Sequence, residues 1–491
     1  MVTLYKPLLI VGAFLVLTLV VGLASKPATT FREYAVGNKQ FSTVKLMAML
    51  LSTFFSGEWI ILLTMHTSLS LLIIGLTSSI TFWMISLIWI RMVPFIQHLS
   101  IAETIGSVYG KYPRVITALL STIDAVGVVA IQIKVMSSMI SICIDIDNRT
   151  ITVLAALVLI AYTTFGSIRG VTNRDLLQFI TFTAIILLIT RLMYLKTGKS
   201  VLETISFLQK QEKFTFSSLL HPPIKILCLV ICFSSSLLES TSPPIMQSTY
   251  ICASPMQVKK VFLYNSLLSL GITFFICSIS LLVFVNDPTL SAAAVWNYII
   301  ADMSPFLKTC IVICIIGAAT CTADSYLHMA GIMIGYDLTK SIRAIKPSDK
   351  LQIRVAKVAA AMVTLLAVVL AIHYNNNDLY EAIVSIRTIA TDLYLYIVPA
   401  PFILAIFGFR GTSRTVLMGI ATAILTRLLC KRLCLTLSIG IDLVHVTANG
   451  LGMMAAHYLL PQPTGTGWMP LNNQQKRLKQ LTRAFKRYKK G

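Results

Sequence analysis

Residues 49–63, "MLLSTFFSGEWIILL", are apolar at both ends and polar in the middle, where Ser52, Thr53, Ser56, Gly57 and Glu58 interrupt the run. The surrounding composition decides how to read them. The chain has 491 residues, 56% of them hydrophobic and 12% charged, with a mean hydropathy of +0.80, against about 25% charged in soluble proteins. Apolar runs of roughly 17 to 25 residues recur along it, each long enough to cross a hydrocarbon core as a helix. The sequence therefore predicts an all-α polytopic membrane protein. In that setting an interrupted span is informative, because unwound backbone in a membrane is tolerated only inside protein or beside a water-filled cavity. Gly57 eases such unwinding and is a candidate hinge. Hydroxyls and freed carbonyls supply oxygen ligands to a small hard cation. The competing reading is that Ser, Thr and Gly simply let helices pack closely.

The net charge of +22 would point to nucleic acid in a soluble chain. Here Lys and Arg sit mostly in short loops and in the tail Lys476–Lys490, where they read as topology signals and contacts to anionic lipid headgroups; no nucleic-acid partner is expected. Cys228, Cys232, Cys277, Cys310, Cys314 and Cys321 fall inside apolar runs with no paired CxxC spacing, so they read as small core residues. Hydropathy predicts about thirteen spans. The tail would be cytoplasmic and the N-terminus outside. Residues 1–465 are expected to form one transmembrane domain, with 466–491 as a basic tail.

A second span is interrupted similarly. In "CLVICFSSSLLESTSPPIMQ", residues 228–247, three serines precede Glu239 and Pro243-Pro244 follows. The distance between the breaks fits two inverted five-helix repeats, about 44–195 and 224–408, each opening on a discontinuous helix. "IIGAATCTADSYLHMAG", residues 315–331, places Ala318, Cys321 and Thr322 within about one helical turn. Ionisable residues inside apolar spans are functional candidates because burying them is costly: Glu58, Asp124, Lys134, Asp175, Glu239, Asp324, Arg387 and Asp392 qualify. Structural pairing is the alternative, with Asp124 or Glu58 against Lys134, Arg387 against Asp392, and Asp175 beside Arg169 and Arg174. No phosphate-binding loop or metalloprotease motif occurs, so the chain is not expected to be an enzyme.

Several blocks together resemble the sodium:solute symporter family, which includes sodium/proline, sodium/pantothenate and sodium/glucose carriers: "EYAVGNKQFS" (33–42), "SIAETIGSVYGKYPR" (100–114), "FGSIRGVTNRDLLQFI" (165–180), "SPPIMQSTY" (242–250) and "GYDLTK" (335–340). "VAIQIKVMSSMI" (129–140) is similar to a proline-type bacterial branch. The resemblance implies one coupling sodium between the first and eighth core helices. Its ligands would be the carbonyls of Ser52, Phe55 and Ala318 and the side chains of Cys321 and Thr322, with Asp175 assisting ion release. It also implies a solute cavity lined by Glu58, Trp59, Ser242 and Gln247. Cys321 stands where relatives usually have serine, Phe54 where proline carriers have aspartate, and Ser248 where many members have arginine.

The expected function is sodium-coupled import of a small organic solute, proline or another amino acid first, across a bacterial inner membrane by alternating access. The alternatives are a transporter-like solute sensor and a proton-coupled carrier using Asp175 or Glu58. Sodium is the only cofactor expected.

Overall fold

The computed structural model describes residues 2–65, 69–141, 148–165, 167–211, 214, 234, 236–291, 294–342, 347–374, 378–432 and 441–469. The tail Lys476–Lys490, Cys228, Cys232 and most of the apolar run leading into the second break lie outside the described residues.

The chain is almost entirely helical. After α1 (Val2–Leu23) and the short α2 (Phe31–Val36) come α3 (Thr43–Phe54) and α4 (Gly57–Met65), then α5 (Leu69–Ile88), α6 (Ile101–Tyr109), α7 (Lys111–Ser141), α8 (Asn148–Phe165), α9 (Ile168–Thr197) and α10 (Val201–Gln209). The second part holds α11 (Pro243–Ile251), α12 (Pro255–Asn286), α13 (Val295–Ala301), α14 (Pro305–Ile332), α15 (Thr339–Ile342), α16 (Asp349–His373), α17 (Leu379–Ile397), α18 (Pro399–Phe407), α19 (Ser413–Arg432) and α20 (Ile441–Leu459). Met333–Leu338, between α14 and α15, is π-helical. Serines start many of these helices: Ser42, Ser100, Ser254, Ser304 and Ser348 each accept a backbone N–H three residues on, satisfying one of the donors a helix start leaves open. Pro255 and Pro305 follow two of them in the first turn, where a missing N–H costs nothing.

Among the described residues seven helices are long and apolar enough to cross a membrane, or eight with the bent pair α3–α4 counted as one span. The protein is a multi-pass membrane protein, and the expected thirteen spans exceed what the described helices establish. The pairing of elements is orderly: α5 packs on α12, α7 on α14 and α8 on α16. These are successive elements counted from the two breaks. Short helices also occupy equivalent places, α6 between α5 and α7 and α13 between α12 and α14. α14 is the most enclosed span, followed equally by α7 and by the α17–α18 span, whereas α19 lies at the edge. A two-residue antiparallel pairing, Phe409–Arg410 with Gly467–Trp468, ties the chain after α20 back to the end of α18.

α1 lies over α9 and α14. The α1–α9 crossing is close enough that a Cβ on Gly170 would stand 2.7 Å from the Gly22 carbonyl oxygen.

Candidate functional site

The polar centre of residues 49–63 is a break. α3 ends at Phe54; Phe55 caps it with φ −81° and ψ 65°, its N–H bonding the Leu51 carbonyl at 2.8 Å. Ser56 begins the next turn by accepting the Trp59 N–H at 3.0 Å, and the axes of α3 and α4 differ by 54°. The break removes the i to i−4 partners that the last carbonyls of α3 would have in a continuous helix. Gly57 has a packing role here: a Cβ would stand 3.0 Å from both Ala319 Cβ and Val135 Cγ1 and 3.2 Å from the Ile315 oxygen.

α14 runs past this break. The Thr322 hydroxyl lies 3.2 Å from the carbonyl oxygens of both Thr53 and Ala318, and the Thr53 and Ser325 hydroxyls meet at 3.0 Å. Thr322 and Ala318 therefore converge with the Thr53 carbonyl at the end of α3. Ser52 is buried there, its hydroxyl donating to the Met49 carbonyl. Cys321 faces α9, its thiol donating to Gln178 Oε1 at 2.7 Å while Gln178 Nε2 donates to Thr320.

The neighbouring charges on α9 are arranged differently from expectation. Arg174 pairs with Asp324 of α14 at 3.0 Å, both side chains almost wholly buried, while Arg169 pairs with Glu33 at 3.2 Å. Asp175 is fully buried, and neither of its carboxylate oxygens has a hydrogen-bond partner among the described residues. A Cβ on Gly22 of α1 would stand 2.9 Å from Arg174 Cδ, so α1 packs directly against the arginine stem.

A cavity of about 120 Å³ opens beside the break, room for on the order of ten water positions. Glu58, Trp59 and Ser242 line it, together with Asp124, Glu239 and Arg387. Arg387 on α17 bridges two carboxylates, with Nη1 3.3 Å from Glu58 and Nη2 in a shorter contact with Glu239. The Glu58 side chain is 9% exposed and that of Glu239 40%.

Three pairings and one lining residue therefore need correction. Glu58 meets Arg387 rather than Lys134. Asp124 lies ten residues before Lys134, roughly 15 Å along one helix, and faces Arg387 and Thr391 instead. Arg387 takes Glu58 and Glu239 in direct ion pairs, while Asp392, near Asp442, Tyr396 and Arg427, interacts with Arg387 without an ion-pair contact. Gln247 does not line the cavity: it is buried in α11 and donates to the Ala35 carbonyl at 2.9 Å. Sequence reading passed over Gln132, Tyr326, Thr391 and Tyr394 on the cavity wall, because polar side chains without charge leave little mark in a long apolar helix.

Away from the cavity, polar contacts close the end of the bundle where α2 leads into α3. Lys39 donates to the Ile96 and Cys252 carbonyls, and Gln257 Nε2 donates to Phe41 O at 2.8 Å. Gly37, Asn38 and Lys39 all have left-handed φ values, 56°, 54° and 60°, an uncommon conformation for the last two. Burial pushes the Lys39 ammonium down to about 8, with Arg32 adding to the shift. Glu33 is held below the usual carboxylate range by hydrogen bonds from Thr29.

These features define a multi-pass membrane bundle built around a broken helix, with a charged cavity at the break. The fold is shared with solved cation-coupled symporters. One is a Na+-coupled sialic acid symporter in a substrate-bound outward-open state, similar at TM-score 0.78 and 17% identity over 95% of this chain and 99% of that one. Another is Mhp1, a nucleobase-cation-symport-1 family transporter with bromovinylhydantoin bound in a closed conformation, at TM-score 0.59 and 11% identity over 89% and 95% of the two chains. At such identities the likeness concerns the fold. No protein-family model and no curated protein matches the sequence.

Proposed function

We propose that this protein is a sodium-coupled symporter that imports a small organic solute by alternating access, a divergent member of the sodium:solute symporter family with thirteen spans and two inverted five-helix repeats. The observation that carries this reading is the convergence of the broken end of α3 with Ala318 and Thr322 of α14, next to a cavity lined by both broken segments. Oxygens freed by a helix break suit a small hard cation, and placing ion and solute on opposite sides of one break couples their occupancies. The sodium ligands would be the carbonyls of Ser52, Phe55 and Ala318 with Thr322 and Cys321, and Asp175 would assist release. The pairing of α5 with α12, α7 with α14 and α8 with α16 supports the repeats. The site of action would be a bacterial-type inner membrane, with the N-terminus outside and the basic tail on anionic headgroups in the cytoplasm. The family resemblance makes proline or another amino acid the first solute to test.

Uptake into proteoliposomes with and without an imposed sodium gradient tests the reading. Accumulation that follows the gradient supports it; accumulation indifferent to sodium overturns it. Proton coupling is the second reading, favoured by the buried, unpartnered carboxylate of Asp175. Uptake that ignores sodium and collapses with a proton uncoupler would establish it.

A further inference from the structure

We infer that the solute is a small organic cation, its ammonium held by Asp124 and its apolar groups by the rings of Trp59 and Tyr326. This rests on the carrier reading above and narrows its solute.

The charge of the cavity carries the argument. Asp124, Glu58 and Glu239 put three carboxylates on its wall, and Arg387 is the only Lys or Arg among the described lining residues. That guanidinium is already engaged by Glu58 and Glu239, so one cation faces two acids before Asp124 is counted. Lys134 lies two residues beyond Gln132 on α7, about 200° around the helix from it, and is not a lining residue.

Asp124 is 1% exposed, and its Oδ1 has no hydrogen-bond partner among the described residues. Gln132, fully buried on the same helix, has both amide atoms unpartnered among the described residues, and the hydroxyl of Thr391 on α17 faces Asp124 from the opposite wall. All three line the cavity. Buried polar groups without partners are costly, and an unpaired carboxylate most of all. A ligand ammonium supplies a donor to the free Oδ1 of Asp124 and a second positive charge to a wall where one arginine serves three acids.

The rings complete the site. Trp59 and Tyr326 line the same space, and Phe54 packs edge-on to Trp59 with centroids 6.2 Å apart, which fixes the indole. Aromatic faces attract cations, more strongly where water is excluded. A solute carboxylate finds the reverse: an excess of negative charge and an arginine already occupied. A zwitterion gains at one end and loses at the other, so it binds more weakly than a cation of the same size.

The test is equilibrium binding to the full-length protein in detergent, read by quenching of tryptophan fluorescence and by thermal stabilisation, in sodium chloride and in potassium chloride. The probes are choline, tetramethylammonium and putrescine as cations, proline as zwitterion and propionate as anion. At least one cation should bind about tenfold or more tighter than proline, with propionate weakest. Asp124→Asn should weaken that cation about tenfold while the unliganded melting temperature stays within a few degrees; Asp124→Glu should recover part of the loss, and Trp59→Phe should weaken it less. Binding of proline or propionate as tight as that of every cation, absence of cation binding, or indifference to Asp124→Asn overturns the inference. The carrier reading fails separately: cation binding without sodium-driven uptake overturns symport and leaves the cation site, and sodium-driven proline uptake without cation binding does the reverse.

Discussion

Arg387 is shared unequally. Its contact with Glu239 is the shorter, but that carboxylate is 40% exposed, whereas Glu58 is 9% exposed and 3.3 Å away. Exposed pairs contribute about 0–1 kcal/mol, and hydrogen bonds to charged groups in less solvated places about 1.5–3 kcal/mol. Burial should outweigh distance. Double-mutant cycles with Arg387→Met should therefore give a larger coupling to Glu58→Gln than to Glu239→Gln, read from melting in detergent. Cys321 offers a second residue-scale test. A thiol is a poorer ligand than a hydroxyl for a hard ion, and here it is also bonded to Gln178. Cys321→Ser should lower the sodium concentration for half-maximal uptake, on the order of fivefold for about 1 kcal/mol. Unchanged sodium dependence would remove Cys321 from the ligand set. Residues are also where sequence reading fell short. Intramembrane charge marked out Asp124, Glu239 and Arg387 as candidates, yet their partners come from α4, the second break and α17, and such pairings depend on how distant spans pack. The expected Asp124–Lys134 pair fails on helical rise alone, and Gln247 was placed on the cavity only by analogy with relatives.

At the scale of elements, the break between α3 and α4 was legible from its composition, since hydroxyls, a glycine and an acid have no place in a lipid-facing helix. What the sequence could not reveal is how tightly the break is clasped. Gly57 sits against α7 and α14, where an added methyl would meet Val135 and Ala319 at 3.0 Å and the Ile315 carbonyl at 3.2 Å. Gly57→Ala favours helix by roughly 1 kcal/mol and also forces a contact into a packed junction, which typically costs 1–3 kcal/mol. The expected outcome is a net loss of about 1 kcal/mol or more in unfolding free energy, measured by thermal or denaturant melting. A neutral or stabilised variant would mean that the junction is loose and that flexibility, not packing, is what the glycine supplies.

For the whole molecule, Lys39, Gln257 and Gln247 join the lead into α3 to α11 and α12, and the proposed alternating access would require this closure to open. Lys39 makes this closure pH-dependent. The unfolded chain keeps its proton to about 10.4, whereas burial lowers the folded value to about 8. Below pH 8 both states are protonated and the folded state bears the full cost of the buried charge. Between about 8 and 10.4 the folded state releases its proton first, so stability relative to Lys39→Met rises with pH. The ammonium is only partly buried, which limits the gain to about 1 kcal/mol. Melting curves of the two proteins across this window should diverge in that direction; a constant difference would mean that Lys39 is solvated.

The first helix lies outside the broken-helix core, yet α9 and α14, which it covers, carry the Arg174–Asp324 pair. Gly170→Ala would drive a Cβ to 2.7 Å from the Gly22 carbonyl and lift α1 away, whereas a Cβ at Gly12 meets nothing within 4 Å. Gly170→Ala should therefore lower the melting temperature and Gly12→Ala should leave it unchanged or raise it. The order of synthesis gives this contact a further meaning. α1 precedes α9 in the chain, so the surface that covers the Arg174 stem in the folded bundle is synthesised before the guanidinium it covers. A piece at the rim of the finished bundle thus serves as electrical insulation for a charge that a bare membrane would resist.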